Sequence, residues 1–178
     1  MMNVYVASSW RNPFQPGVVE FLRSEGFEVY DFRNPSPGDS GFHWSEIDGG
    51  WKDWDLDRYK SALESDLAKD GFGKDFAAME WADACVLVLP CGRSAHLELG
   101  WFAGQGKPTV IVYPQANWPV AEVGGHSMNN EHPCAECGDL DGCHVPAQLL
   151  RIEPELMYKM CGAIENTFGG ILRALGRP

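Results

Sequence analysis

Residues 84–89, Ala-Cys-Val-Leu-Val-Leu, form a continuous apolar run with β-branched residues. A run of this length reads as a strand buried on both faces, and such a strand requires helices above and below it. Pro90-Cys91-Gly92 breaks the run. Ser94 is placed to cap a helix, and Leu97, Leu99, Trp101, Phe102 and Ala103 follow it. Gly104 and Gly106 fall where that helix should stop, and Pro108 prevents its resumption. Residues 109–113, Thr-Val-Ile-Val-Tyr, are the next apolar run. The order is strand, loop, helix, strand: a βαβ unit with Glu98 in the first turns of its helix.

The loop after a parallel strand lies at the carboxyl end of the sheet, where open α/β sheets bind ligands. Glu98 therefore has two readings. It can complement the positive end of the helix dipole, or it can be an ionised, positioned nucleophile.

Earlier in the chain, residues 3–7 read as a first strand and 8–13 as the loop leaving it. Residues 15–25 follow as a helix with Val18, Val19, Phe21 and Leu22 inward, ended by Gly26. Residues 27–32 alternate as a second strand. Residues 34–41 are dense in turn formers. Phe42, His43, Trp44, Trp51 and Trp54 then crowd an irregular segment. These aromatics either wall a ligand pocket, with His43 and Trp44 as the favoured contacts, or cover a sheet edge. Residues 55–69 are expected to be helical with Tyr59, Leu63 and Leu67 on one face. Gly71-Phe-Gly73 should interrupt, and a separate helix should cover 74–82 with Phe76, Met79 and Trp81 packed. That places Asp75 in a first turn, where a cap is the plain reading. Residues 163–165 read as a short fifth strand, and Thr167 as the cap of a helix over 168–175.

The chain has 178 residues and a formal net charge of −11. An acidic chain without clustered Lys and Arg is a poor partner for nucleic acid. No apolar run approaches the ~18 residues of a membrane span, and no secretory leader pattern is evident. With six cysteines and no such leader, thiols or metal ligands are expected over disulfides, in a cytoplasmic protein.

Four pieces together resemble the nucleoside 2-deoxyribosyltransferase family, which includes the nucleoside 5′-monophosphate N-glycosidases. They are residues 4–11 (Val-Tyr-Val-Ala-Ser-Ser-Trp-Arg), Asp75 eight residues before the Ala82-Asp83 pair, Glu98-Leu-Gly100, and Gly106-Lys-Pro108. The resemblance covers about residues 3–113. It implies a Rossmann-like or flavodoxin-like α/β fold: a parallel sheet of about five strands with helices on both faces. It also implies cleavage of an N-glycosidic bond without a catalytic cofactor. Glu98 would be the nucleophile, Tyr5 its orienting hydroxyl, and Asp75 the group that delivers a proton to the leaving base. Ser9 and Arg11 match the spacing of the phosphate-contacting pair of the nucleotide hydrolases. Six residues before Glu98, where the transferases carry Asp and the hydrolases Ser, this chain has Gly92. Arg93 and Ser94 lie beside that position.

The family pattern stops after Tyr113, and residues 114–150 read as an insertion within a single domain spanning 1–178. Cys134-Ala-Glu-Cys137-Gly138 is a knuckle in which two thiolates share one turn. Cys143 supplies a third ligand. His126, His132 or His144 supplies the fourth, with His126 leaving the chain most room to fold back. The expectation is a structural Zn²⁺, with unliganded thiols as the alternative. The substrate is expected to be a small nucleoside or nucleotide, handled by a homo-oligomer as the family implies. Three functional classes remain open. One is an N-glycosidase, or a 2-deoxyribosyltransferase on free nucleosides. Another is a silent nucleotide sensor, and the third an interaction module built on the zinc insertion.

Overall fold

A computed structural model describes residues 1–114, 163–165 and 167–176. Five strands form one parallel sheet: β1 (Asn3–Ala7), β2 (Glu28–Asp31), β3 (Ala84–Val88), β4 (Thr109–Val112) and β5 (Ala163–Glu165). Their spatial order is β2-β1-β3-β4-β5. This is the flavodoxin-like order, whose direction reverses between β1 and β3 and leaves a crevice at the carboxyl ends of those strands.

Strand alternation divides the core. Val4, Val6, Val86, Val88, Val110 and Val112 face α1 (Gln15–Ser24) and the helix Phe168–Ala174. Tyr5, Ala7, Cys85, Leu87 and Ile111 face α3 (Asp66–Trp81) and α4 (Arg93–Gly104). Every residue of β3 is buried, as a central parallel strand covered on both faces requires. No helix among the described residues is long and apolar enough to cross a membrane.

The helices before β3 differ from the sequence expectation. α2 covers only Leu56–Leu63, and the chain breaks at Glu64 and Ser65. Ser65 accepts a hydrogen bond from the Ala68 N–H at 3.2 Å and so caps α3. α3 then runs unbroken through Gly71 and Gly73. Gly71 marks a packing contact, because a Cβ built there would lie 2.7 Å from Cβ of Phe42. Asp75 is consequently the tenth residue of a sixteen-residue helix, so the first-turn reading is wrong for it. Trp81, expected to pack, is exposed, and so is the face formed by Tyr59, Leu63 and Leu67. Gly92, in extended conformation, takes the N-cap position of α4; Ser94 is its second residue and caps nothing. Thr167 caps the helix Phe168–Ala174, accepting from Gly170 N–H at 3.0 Å.

Candidate active site

Tyr5 and Tyr30 are direct partners across β1 and β2, so their side chains share the face toward α3 and α4. The rings stack, with centroids 5.4 Å apart and planes 17° from parallel. Tyr5 also leans on Phe102 of α4 at 5.7 Å. Tyr30 Oη donates to Oδ1 of Asp75 at 2.8 Å. The Tyr5 hydroxyl stands near Glu98 and favours its ionised form. The structure thus brings together the three residues that the family resemblance implies are catalytic, and it adds Tyr30.

Burial is the main electrostatic influence. It pushes Glu98 from 4.5 up to about 7; the negative charge of Asp75 adds to this, and the Tyr5 hydroxyl opposes it. Asp75 is also raised by burial, opposed by Tyr30 and the Lys74 charge. Tyr5 and Tyr30 are driven far above the ordinary tyrosine value by burial and the nearby carboxylates, so both remain hydrogen-bond donors. Two carboxyl groups in one desolvated site resist double ionisation and titrate as a coupled pair. Near neutral pH such a pair holds one acid and one base.

A cavity of about 120 Å³ opens beside Asp75, walled by Tyr30, Phe32 and Phe42 with Asp39 and Lys74 at its polar side. Lys74 pairs with Asp39 at 3.0 Å and Asp70 at 2.9 Å, tying the loop after β2 to α3. His43 and Trp44 do not line this cavity. His43 turns its Nδ1 to Ser45 and caps the short 3₁₀ turn Trp44–Glu46, edge-on to Trp10 and Trp51. Trp44 packs on Phe42, Trp54 and Tyr59. The aromatic segment does wall a pocket, but through Phe42, because Gly71 lets that ring settle on α3.

Ser9 and Arg11 lie in the loop between β1 and α1, at the carboxyl edge of the sheet. Arg11 is exposed, and its backbone N–H donates to Ser9 Oγ at 3.3 Å. The start of α1 is less open to an anion than its position promises. Asn12 Oδ1 already accepts from the Phe14 and Gln15 N–H groups, and Pro16 has none. Arg33 belongs to no motif of the sequence. Its Nη2 donates to the carbonyls of Ser9 at 2.6 Å and Asn12 at 2.9 Å, fixing this loop from beneath. The only signal was a cation two residues beyond the second strand. Arg93 and Ser94 open α4 and are exposed.

Two motif residues carry structure instead of chemistry. Asp83 Oδ2 accepts from the Asn3 N–H at 2.8 Å and aligns β1 with β3. Lys107 Nζ donates to the carbonyls of Met79, Glu80 and Ala82 at 3.2, 3.2 and 2.6 Å. It closes the C-terminus of α3, where a cation is favoured. Cys134, Cys137, Cys143 and His126 lie outside the described residues. Among those described, no group of three or more His, Cys, Asp or Glu side chains is placed to hold a metal.

No protein-family model and no curated protein sequence matches the chain. Solved structures similar to it include a 2-deoxyribosyltransferase from Bacillus psychrosaccharolyticus. That match has 19% identity and a TM-score of 0.38, covering 62% of this chain and 71% of that one. A conserved protein from Enterococcus faecalis V583 matches at 14% identity and TM-score 0.49, covering 99% and 98%. The Clostridium botulinum CMP N-glycosidase BcmB matches at 13% identity and TM-score 0.40, covering 98% and 97%.

Proposed function

We propose that the protein cleaves the N-glycosidic bond of a (deoxy)nucleoside 5′-monophosphate or (deoxy)nucleoside, with Glu98 as nucleophile. One observation supports this above the others: Glu98 and Asp75 share a half-buried site, in which Tyr30 donates to Asp75 and Tyr5 stands near Glu98. In the productive form Glu98 is ionised and Asp75 carries a proton. As the C1′–N bond breaks, the proton of Asp75 passes to the departing base. The Glu98 carboxylate bonds to C1′, giving a glycosyl ester. Water then attacks C1′, Asp75 takes a proton from that water, and Glu98 leaves, so configuration is retained overall. A second base in place of water would make the same site a 2-deoxyribosyltransferase.

Ser9 and Arg11 are proposed to receive the 5′-phosphate, held there by the Arg33-braced loop, and Arg93 and Ser94 to border the substrate across the crevice. A structural Zn²⁺ on Cys134, Cys137, Cys143 and His126 is proposed from the sequence. Elemental analysis of protein purified without chelator should return one zinc per chain, and a zinc-free result rejects it. Catalysis itself would need no cofactor.

The deciding experiment is a chromatographic screen of nucleosides and 5′-monophosphates for released base, with and without a free acceptor base. Exchange of bases identifies the transferase, and binding without release identifies a silent sensor. Glu98→Ala should keep the fold and lose base release, because a nucleophile is needed only in the chemical step. Turnover of that variant at the parent rate would sink the mechanism.

A further inference from the structure

Asp75 lies deep within α3, away from the helix N-terminus, so no free backbone N–H of the first turn is available to hold its carboxyl. Its hydrogen-bond donor is Tyr30. The ring of Tyr30 is itself fixed twice: by the β2 backbone in register with β1, and by its stack on Tyr5. The position of its hydroxyl is therefore set by the sheet, independently of Asp75. We infer that Tyr30 is a positioning residue that locks Asp75 through Oδ1, leaves Oδ2 to carry the proton, and thereby sets how that proton is shared with Glu98. This rests on the N-glycosidase reading, because it assigns Asp75 the acid's role.

The surroundings make the hydrogen bond consequential. Around Asp75 stand Lys74 on its own helix, Tyr30 from β2 and Glu98 from α4. Tyr30 also feels Asp39 from the following loop and Asp31 from its own strand. Tyr5, which feels both carboxylate charges, has Cys85 of β3 beside it in register. A donor to a carboxylate favours the ionised form. The Tyr30 hydroxyl thus keeps Asp75 acidic enough to release its proton, and the stack on Tyr5 keeps the Tyr30 phenol aimed at it. Without that hydroxyl, Asp75 holds its proton to higher pH. Glu98 then faces a neutral neighbour and titrates lower.

Tyr30→Phe keeps the ring and its stack and removes only the donor. The test is carried out on the full chain. Titrations of the ¹³C-labelled side-chain carboxyls, assigned with Asp75→Asn and Glu98→Gln, are compared with the pH profiles of kcat and kcat/KM. In Tyr30→Phe the Asp75 titration should move up and that of Glu98 down, and the alkaline limb of the rate profile should move to higher pH. The kcat at the optimum should fall by about tenfold or more, with KM nearly unchanged, because a misplaced acid hurts the transition state more than binding. Difluorotyrosine at position 30, a stronger donor of similar shape, should move the Asp75 titration down. It also supplies the measurement if Tyr30→Phe does not fold. Carboxyl titrations that do not respond to either change overturn the inference, even if activity falls, because Tyr30 would then only pack. Should the parent release no base from any substrate, the N-glycosidase reading fails, and with it the role as acid. The titrations still decide separately whether Tyr30 holds Asp75.

Discussion

Glu98 holds its carboxyl where ionisation is costly. Burial and the Asp75 charge raise it from 4.5 to about 7, so the folded protein binds its proton more tightly than the unfolded chain does. The stability this group contributes is fully present below about pH 4.5 and is lost as pH rises through about 7. Glu98→Gln cannot ionise and keeps the shape of the side chain. It should therefore match the parent near pH 4.5 and exceed it above pH 7, by roughly 1–3 kcal/mol once partial exposure is discounted. Thermal unfolding at acidic and alkaline pH checks this; a Tm difference that is the same at both would show that Glu98 is not strained by its charge. Because Asp75 is already charged at that step, the same titration takes the pair to double ionisation and leaves no proton for the leaving base, so base release by the parent should fall as pH rises above about 7. A site that trades stability for an ionised carboxylate is a familiar pattern in enzymes.

Among the elements, α3 shows where local rules fail. Gly71 and Gly73 read as a break because glycine is a poor helix former. The helix continues because Gly71 gives up its side chain to admit the ring of Phe42, nearly thirty residues earlier. Gly73 has no atom within 4 Å of a built Cβ, so it has no such partner. Two alanine substitutions one helical half-turn apart should then differ in sign. Gly71→Ala should destabilise by about 1–3 kcal/mol through overpacking and push Phe42 off the cavity wall. Gly73→Ala should stabilise by about 0.5–1 kcal/mol. Urea unfolding midpoints that move in the same direction would contradict this account. The features legible in sequence are those whose causes are local: the buried run of β3, the left-handed Gly26 with φ of 81°, and the Thr167 cap. Tyr5, Asp75 and Glu98 were named through family spacing. Tyr30 and Arg33 act across strand register and a loop-to-loop contact, which no single-segment pattern encodes. The true boundaries of α3 were hidden for the same reason.

At the scale of the whole molecule, charge and apolar surface oppose each other. A net charge of −11 repels a second copy. Yet α3 and α4, the helices that carry Asp75 and Glu98, expose apolar side chains: Phe72 is 68% accessible and Leu97 75%. Phe72 stacks on Phe76 at 5.6 Å, and Phe76 meets Trp101 edge-on at 5.9 Å, so the rings form a continuous strip across both helices. Leu97 lies one turn before Trp101 on α4. We expect this strip to be the contact between copies of the chain. Because exposed charges more than about 10 Å apart are screened at ordinary ionic strength, added salt should strengthen association, the opposite of a contact built on ion pairs. Sedimentation of the parent should show a mass above one chain that grows with salt and concentration. Phe72→Glu combined with Leu97→Glu should sediment as a monomer with unchanged secondary structure. Both substituted side chains are exposed, so the fold should tolerate the added charges. A parent that stays monomeric at every concentration and salt level removes this contact, and a double variant that still associates places it elsewhere on the surface.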